Sequence, residues 1–238
     1  MLQSNNDPLF KRTLVICGWS GLLAVIFFVI GGSVLGGMIP PLFSADESAL
    51  EFVRKATENL FQIRVGTVFM IIALTFLGPM GAGIFLQTRR FERTAGLSYV
   101  QLMMAGLGTI IAILVGFSWA MMVYRVDAAH AINVQMFADL AYFLALFSAP
   151  VFCSWCVAIA LPILFAEEGR EPFPRWVAYL NIWAAVLYVP GQLILFFKDG
   201  LFAWHGIVAM WIPYIAFFLW ILISSLTLLQ AAKKVQPE

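Results

Sequence analysis

The chain reads as an all-α polytopic membrane protein: six transmembrane helices with a short amphipathic helix in the first outer loop. Three observations lead there. Of 238 residues, 62% are hydrophobic and 11% charged, against about 45–50% apolar and about 25% charged in a soluble domain. Six stretches, at about 13–39, 65–88, 97–124, 137–166, 176–197 and 203–230, are long enough to span a bilayer, and among them only the fourth holds an Asp, Glu, Lys or Arg, Asp139 near its start. A helix rises 1.5 Å per residue through a hydrocarbon core about 30 Å thick, so roughly 20 such residues make a span. Nowhere does the alternating pattern of a membrane barrel occur, and helices are then the one way to satisfy backbone polar groups in lipid.

The first stretch follows Lys11 and Arg12. A signal-peptide core runs about 7–15 residues, so 13–39 is too long for one and reads as a retained span. Orientation follows from the basic residues. With both termini cytoplasmic, nine (Lys11, Arg12, Arg89, Arg90, Arg93, Arg170, Arg175, Lys233 and Lys234) lie inside, and five (Arg54, Lys55, Arg64, Arg125 and Lys198) lie outside. The first outer loop opens with Pro40-Pro41 and continues Ser44-Ala-Asp-Glu47, a capping box that predicts a helix starting there. Leu50, Val53, Leu60 and Phe61 gather near one face, the pattern of a helix in the headgroup plane, although a solvated loop helix carries it equally well. Gly32 with Gly36, and Ser33 with Gly37, have the spacing that lets helices approach closely. Pro79, Pro150, Pro162, Pro190 and Pro213 predict kinks or breaks. No internal repeat or linker divides the chain, so residues 1–238 form one domain.

A net charge of +1 from 14 basic and 13 acidic residues provides no field to gather nucleic acid. Cys17, Cys153 and Cys156 sit in apolar runs, unlike a secreted disulfide framework. Cys153-Ser-Trp-Cys156 has thiol-oxidoreductase spacing, but its depth in the fourth span favours packing. The two histidines, His130 and His205, have no metal-ligand spacing, and there is no phosphate-binding loop, dinucleotide fingerprint or nucleophile elbow. No metal and no cofactor is expected.

Arg64, Arg125, Asp127, His130, Asp139, Lys198, Asp199 and His205 all map to the outer ends of the spans. Charges at the membrane edge either pair or line a wet cavity, so they form a structural salt-bridge collar or an outward-facing polar pocket. Asp139 is the most suggestive, with Arg64, Lys198 and His205 as partners at similar depth. In the fifth span, Tyr188 and Gln192 are four apart and share a face, suited to lining a ligand pocket or bonding a neighbouring helix. The ligand-binding candidates are therefore Asp139, Arg64, Arg125, Lys198, Asp199, His205, Tyr188 and Gln192.

Phe173-Pro-Arg-Trp-Val-Ala-Tyr-Leu-Asn-Ile-Trp183 and Phe196-Phe-Lys-Asp-Gly-Leu-Phe-Ala-Trp-His-Gly206 resemble an uncharacterised family of six-span bacterial membrane proteins from actinobacteria and proteobacteria. Pro40-Pro41, Arg64-Val-Gly66, Gln87-Thr-Arg-Arg-Phe-Glu92 and Tyr99-Val-Gln101 extend the resemblance over nearly the whole chain. It implies a bacterial origin and this topology, and brings no activity, cofactor or catalytic residue.

The functional expectation is an inner-membrane protein that binds or transports an apolar or amphipathic small molecule through an outer-facing polar pocket. Two alternatives stay open. One is a membrane-embedded isomerase or hydratase using Asp139 or His205 as acid and base; the other is an accessory subunit of a membrane complex. The expected partners are the lipid bilayer, an apolar ligand, and a second copy or a partner subunit.

Overall fold

The computed structural model describes residues 8–92 and 96–234. Arg93, one of the nine basic residues assigned to the cytoplasmic side, lies outside them. Among the described residues six helices are long and apolar enough to cross a membrane: α1 (Pro8–Leu35), α3 (Leu60–Arg89), α4 (Gly96–Tyr124), α5 (Ala128–Leu164), α6 (Arg175–Leu195) and α7 (Gly200–Lys234). The short α2 (Ala49–Glu58) precedes α3. Each span packs on its chain neighbours and α7 returns to α1, closing a ring in chain order. The crossing number is even, so Pro8 and Lys234 lie at one end of the bundle, and loop 36–47 and α2 lie at the other.

Large apolar side chains such as Val34, Val68, Met103, Ile110 and Ile215 point outward, because lipid, unlike water, sets no penalty on them. The interior is filled by Trp119, Trp155, Trp220, Met70, Met80 and Leu77, each under 2% exposed. Trp155 meets Trp220 edge-on at 4.9 Å. The indole of Trp220 donates to Asn181 Oδ1 at 2.8 Å, which satisfies both polar groups away from water.

The helix contact that brings backbones together uses Gly36, as the small-residue spacing predicts, but pairs it with Gly31 rather than Gly32. α1 turns π-helical over Val29–Leu35, which moves the facing positions to Gly31 and Gly36. A methyl built on Gly66 would lie 2.5 Å from both the Gly31 carbonyl oxygen and the Gly36 nitrogen. Gly32 instead lies under the Phe28 ring of its own helix, and Gly37 takes a left-handed φ of 63° at the turn that ends the span. The first span therefore stops at Leu35 rather than continuing to Ile39.

The outer-loop helix also begins later than the sequence suggests. Of the two consecutive Ser-x-x-Glu patterns it is the second, Ser48 to Glu51, that caps: α2 starts at Ala49 and Ser48 Oγ accepts from the Glu51 N–H at 3.4 Å. Its buried face is Phe52 and Ala56, packed on α5, while Leu50 and Phe61 are exposed and Val53 and Leu60 half-buried. Arg54 pairs with Glu51 and Glu58 on the solvent side. The helix thus docks on the bundle through a face different from the one expected.

Four of the five prolines sit where helix type changes. Pro79 follows the break at Phe76, Pro150 follows the π segment Phe143–Phe147, Pro190 opens the 3-10 turn Val189–Leu195, and Pro213 follows the π segment Ile207–Trp211. Proline cannot donate to the carbonyl four residues back, so the ladder must change there. Pro162 stays inside a continuous helix.

Candidate ligand pocket at the helix breaks

The non-α segments of α5, α6 and α7 lie against one another. They come together because Gly191 has no side chain: a methyl there would stand 2.7 Å from the Leu146 carbonyl oxygen. Beside them is a partly enclosed cavity of about 60 Å³. Its walls are apolar, from Phe28 and Met38 through Leu74, Ala112 and Val115 to Phe152, Phe217 and Phe218. Three lining residues carry hydroxyls, Ser148 on α5, Tyr188 on α6 and Tyr214 on α7; all three oxygens are buried, that of Tyr188 against the Cys156 thiol and those of Ser148 and Tyr214 with no hydrogen-bond partner among the described residues. Tyr188 and Tyr214 are only 4% and 8% exposed. An unsatisfied buried hydroxyl costs about 1–3 kcal/mol, but these oxygens are shut off from the cavity space, whose surface is almost wholly apolar.

The distal roof of the cavity is loop 36–47, whose Met38 is a lining residue. The loop is stitched down by side chains from four helices. Trp119 on α4 donates to the Gly36 carbonyl at 3.0 Å, Tyr142 on α5 to Met38 at 3.5 Å, Lys55 on α2 to Leu42 at 3.1 Å, and Trp204 on α7 to Phe43 at 3.3 Å. Gln135 on α5 reaches the Glu47 carbonyl at 3.2 Å. Buried irregular backbone needs such partners, since water is excluded. Aromatic stacking reinforces the stitches: Phe52, Phe43, Trp119, Tyr142 and Trp204 contact in series, with Phe43 stacked on Phe52 at 4.5 Å and Tyr142 on Trp204 at 5.0 Å.

The expected charged collar does not assemble. Arg64 turns to α4 and donates to the Val123 carbonyl at 3.0 and 3.1 Å, and to that of Tyr124 at 3.5 Å, capping the end of that helix. Arg125 stands over the Tyr124 ring at 5.6 Å. His130 bonds Asp127 at 2.7 Å and holds that carboxyl below the usual carboxylate range. His205 accepts from the Ala45 N–H at 3.4 Å, and so helps to hold the loop. Lys198 and Asp199 are exposed. Asp139 is half-buried with Oδ1 unpartnered; the charge of Lys198 acts on it, yet among the described residues no ion pair or hydrogen bond joins Asp139 to Arg64, Lys198 or His205. Arg64, Arg125, His130 and His205 each engage a nearby group of another kind rather than one another.

Of the residues singled out from sequence, Tyr188 lines the cavity. Gln192 lies one turn beyond and donates to the Phe147 carbonyl at 2.8 Å, tying the 3-10 segment to α5. Asp139, Arg64, Arg125, Lys198, Asp199 and His205 are not among the lining residues. Ser148 and Tyr214 were missed. Their signal was a hydroxyl within two residues of an intramembrane proline, Ser148 before Pro150 and Tyr214 after Pro213. Cys153 donates to the Ala185 carbonyl at 3.1 Å and Cys156 is fully buried; both thiols are free.

No protein-family model, curated protein or solved structure matches the chain.

The collar geometry has a direct test. In a double-mutant cycle of Asp139→Asn and Arg64→Gln, read by denaturant unfolding in detergent, the two effects should add to within about 0.5 kcal/mol. A coupling of about 1 kcal/mol or more would mean that the two charges pair after all.

Proposed function

We propose that this multi-pass membrane protein binds an apolar or amphipathic small molecule in the cavity beside the breaks of α5, α6 and α7. The supporting observation is the partly enclosed cavity itself, walled almost entirely by apolar and aromatic side chains where three helices break. A ligand's apolar part would meet those walls, as in most small-molecule sites. Broken helices at such a place suit a ligand site, because backbone irregularity in a membrane is tolerated where it lines a cavity. The acid–base reading has less support, because His205 is occupied by Ala45. Protein purified in mild detergent should yield, on solvent extraction and mass spectrometry, a small molecule at about one per chain. An Ala145→Phe variant, whose ring would fill the cavity, should lose it. Equal recovery from both proteins would sink the reading.

The membrane proposed is a bacterial inner membrane, with both termini cytoplasmic; the nine-to-five distribution of basic residues and the resemblance to six-span bacterial proteins support it. In a background without the native cysteines, Asp46→Cys should react with an impermeant thiol reagent from the periplasmic side and Glu168→Cys should not. Labelling of both from that side would overturn the topology.

A further inference from the structure

The geometry points to a binding surface for anionic phospholipid headgroups at the corner where α1, α3 and α7 meet, at the end of the bundle that holds Pro8 and Lys234. Six bases converge there: Lys11 and Arg12 in the first turns of α1, Arg89 and Arg90 where α3 ends, and Lys233 and Lys234 at the end of α7. Helix packing sets them at one level. α3 runs antiparallel to α1 with Gly83 against Cys17, and further along Arg90 stands over the Phe10 ring at 4.2 Å; that register puts Arg89 level with Lys11. On the other side of α1, a methyl on Gly18 would lie 2.7 Å from Leu229 of α7. The same antiparallel register puts Lys233 level with Leu14, about one helical turn from Lys11. All six therefore lie at the edge of the spans, where headgroups begin.

No acid answers this charge. Among the described residues no ion pair joins Lys11, Arg12, Arg89, Lys233 or Lys234 to a carboxylate. Glu92 is close in sequence but is engaged at the start of α4, where it accepts from the N–H groups of Leu97 and Ser98 at 2.8 and 2.9 Å. Asp7 and Glu238 lie outside the described residues, and together they could answer only two of the six bases. The turn between α5 and α6, at the same end, is balanced within itself: Arg170 pairs with Glu167 at 3.4 Å and Arg175 with Glu171 at 3.0 Å. The excess of positive charge thus belongs to one corner and not to the whole face.

A lipid fits this corner better than a free anion, because apolar surface continues directly below the bases. Ile16 and Trp19 on α1 and Leu226 on α7 are exposed, so the acyl chains of a molecule whose phosphate meets the bases would lie along them. Each Lys or Arg near the headgroups strengthens attraction for an anionic lipid by about fivefold. A zwitterionic headgroup brings its own cation and gains little.

The test uses full-length protein in phosphatidylcholine nanodiscs doped with a trace of phosphatidylglycerol, or of phosphatidylcholine, carrying the same mid-chain diazirine. The phosphatidylglycerol probe should label peptides around Ile16 and Leu226 about fivefold or more above the phosphatidylcholine probe, with no such preference at Tyr179, which is exposed on α6 near the same end. Lys233→Gln with Lys234→Gln should cut the preference several-fold, and Arg170→Gln with Arg175→Gln should leave it. Excess inorganic phosphate should not displace the probe. Absence of the preference, its survival in the lysine variant, or an equal preference at Tyr179 would overturn the corner, and displacement by phosphate would overturn the lipid as its partner. None of these outcomes bears on the pocket.

Discussion

Replacing Gly66 by alanine should destabilise the protein by about 3 kcal/mol, and replacing it by leucine should leave little folded material. Overpacking a well-filled site costs typically about 1–3 kcal/mol, with the low end belonging to sites whose neighbours are flexible side chains. Here the atoms in the way are main-chain: the Gly31 carbonyl oxygen and the Gly36 nitrogen at 2.5 Å, and the Gly36 Cα at 2.7 Å. Ordinary van der Waals contact begins at 3.4 Å, so α1 and α3 must separate by roughly 1 Å, which gives up dispersion contacts along the whole crossing. Gly36 is also where loop 36–47 starts, so the shift passes to the roof of the pocket. Gly106 is the control, since a methyl there meets nothing within 4 Å and alanine is the better helix former by about 0.5–1 kcal/mol. Gly106→Ala should be neutral or stabilising. Thermal unfolding of the three variants in detergent decides it, and a Gly66→Ala protein as stable as wild type would remove the backbone-on-backbone crossing.

The second large effect is expected at Trp119, which is fully buried and joins Phe43 at 5.8 Å to Tyr142 at 5.5 Å. Trp119→Ala leaves a cavity and should cost about 3–5 kcal/mol. Trp119→Phe keeps most of the ring but strands the Gly36 carbonyl, which loses its donor at 3.0 Å, and should cost about 1–3 kcal/mol. The more telling readout is local. If the loop is held mainly by side-chain donors, amide exchange of residues 36–47 in Trp119→Phe should rise by roughly 5- to 100-fold, with little change in α6. Unchanged exchange there would mean that the stitches do not hold the loop.

How legible each part was depended on the range of the interaction involved. Spans could be read because hydropathy is a property of each segment by itself: α4, predicted at 97–124, is found at Gly96–Tyr124. The error at the end of α1 had a local cause with a distant trigger, since the π turn over Val29–Leu35 serves a crossing with Gly66, more than 30 positions away. At α2 two identical capping patterns competed, and nothing local favours Ser48 over Ser44. The choice falls to the packing of Phe52 on Phe43 and the lodging of Ala56 against the bundle.

The site was legible in the same partial way. Tyr188 stood out as a polar residue in an apolar run, but Ser148 and Tyr214 acquire meaning only when three helices break side by side. Arg64 and Asp139 were matched by depth, and depth is a poor guide to pairing because long side chains take the nearest acceptor, here the end of α4 at Val123.

Composition and the spacing of charges by themselves determined that this chain is helical and crosses a membrane six times, because the cost of leaving backbone and charges in lipid acts on every segment independently of its neighbours. Which glycines touch, which serine caps α2, and which hydroxyls are left without partners around the cavity were decided by the tertiary structure, because each depends on which atom of a distant helix arrives within hydrogen-bond or van der Waals range.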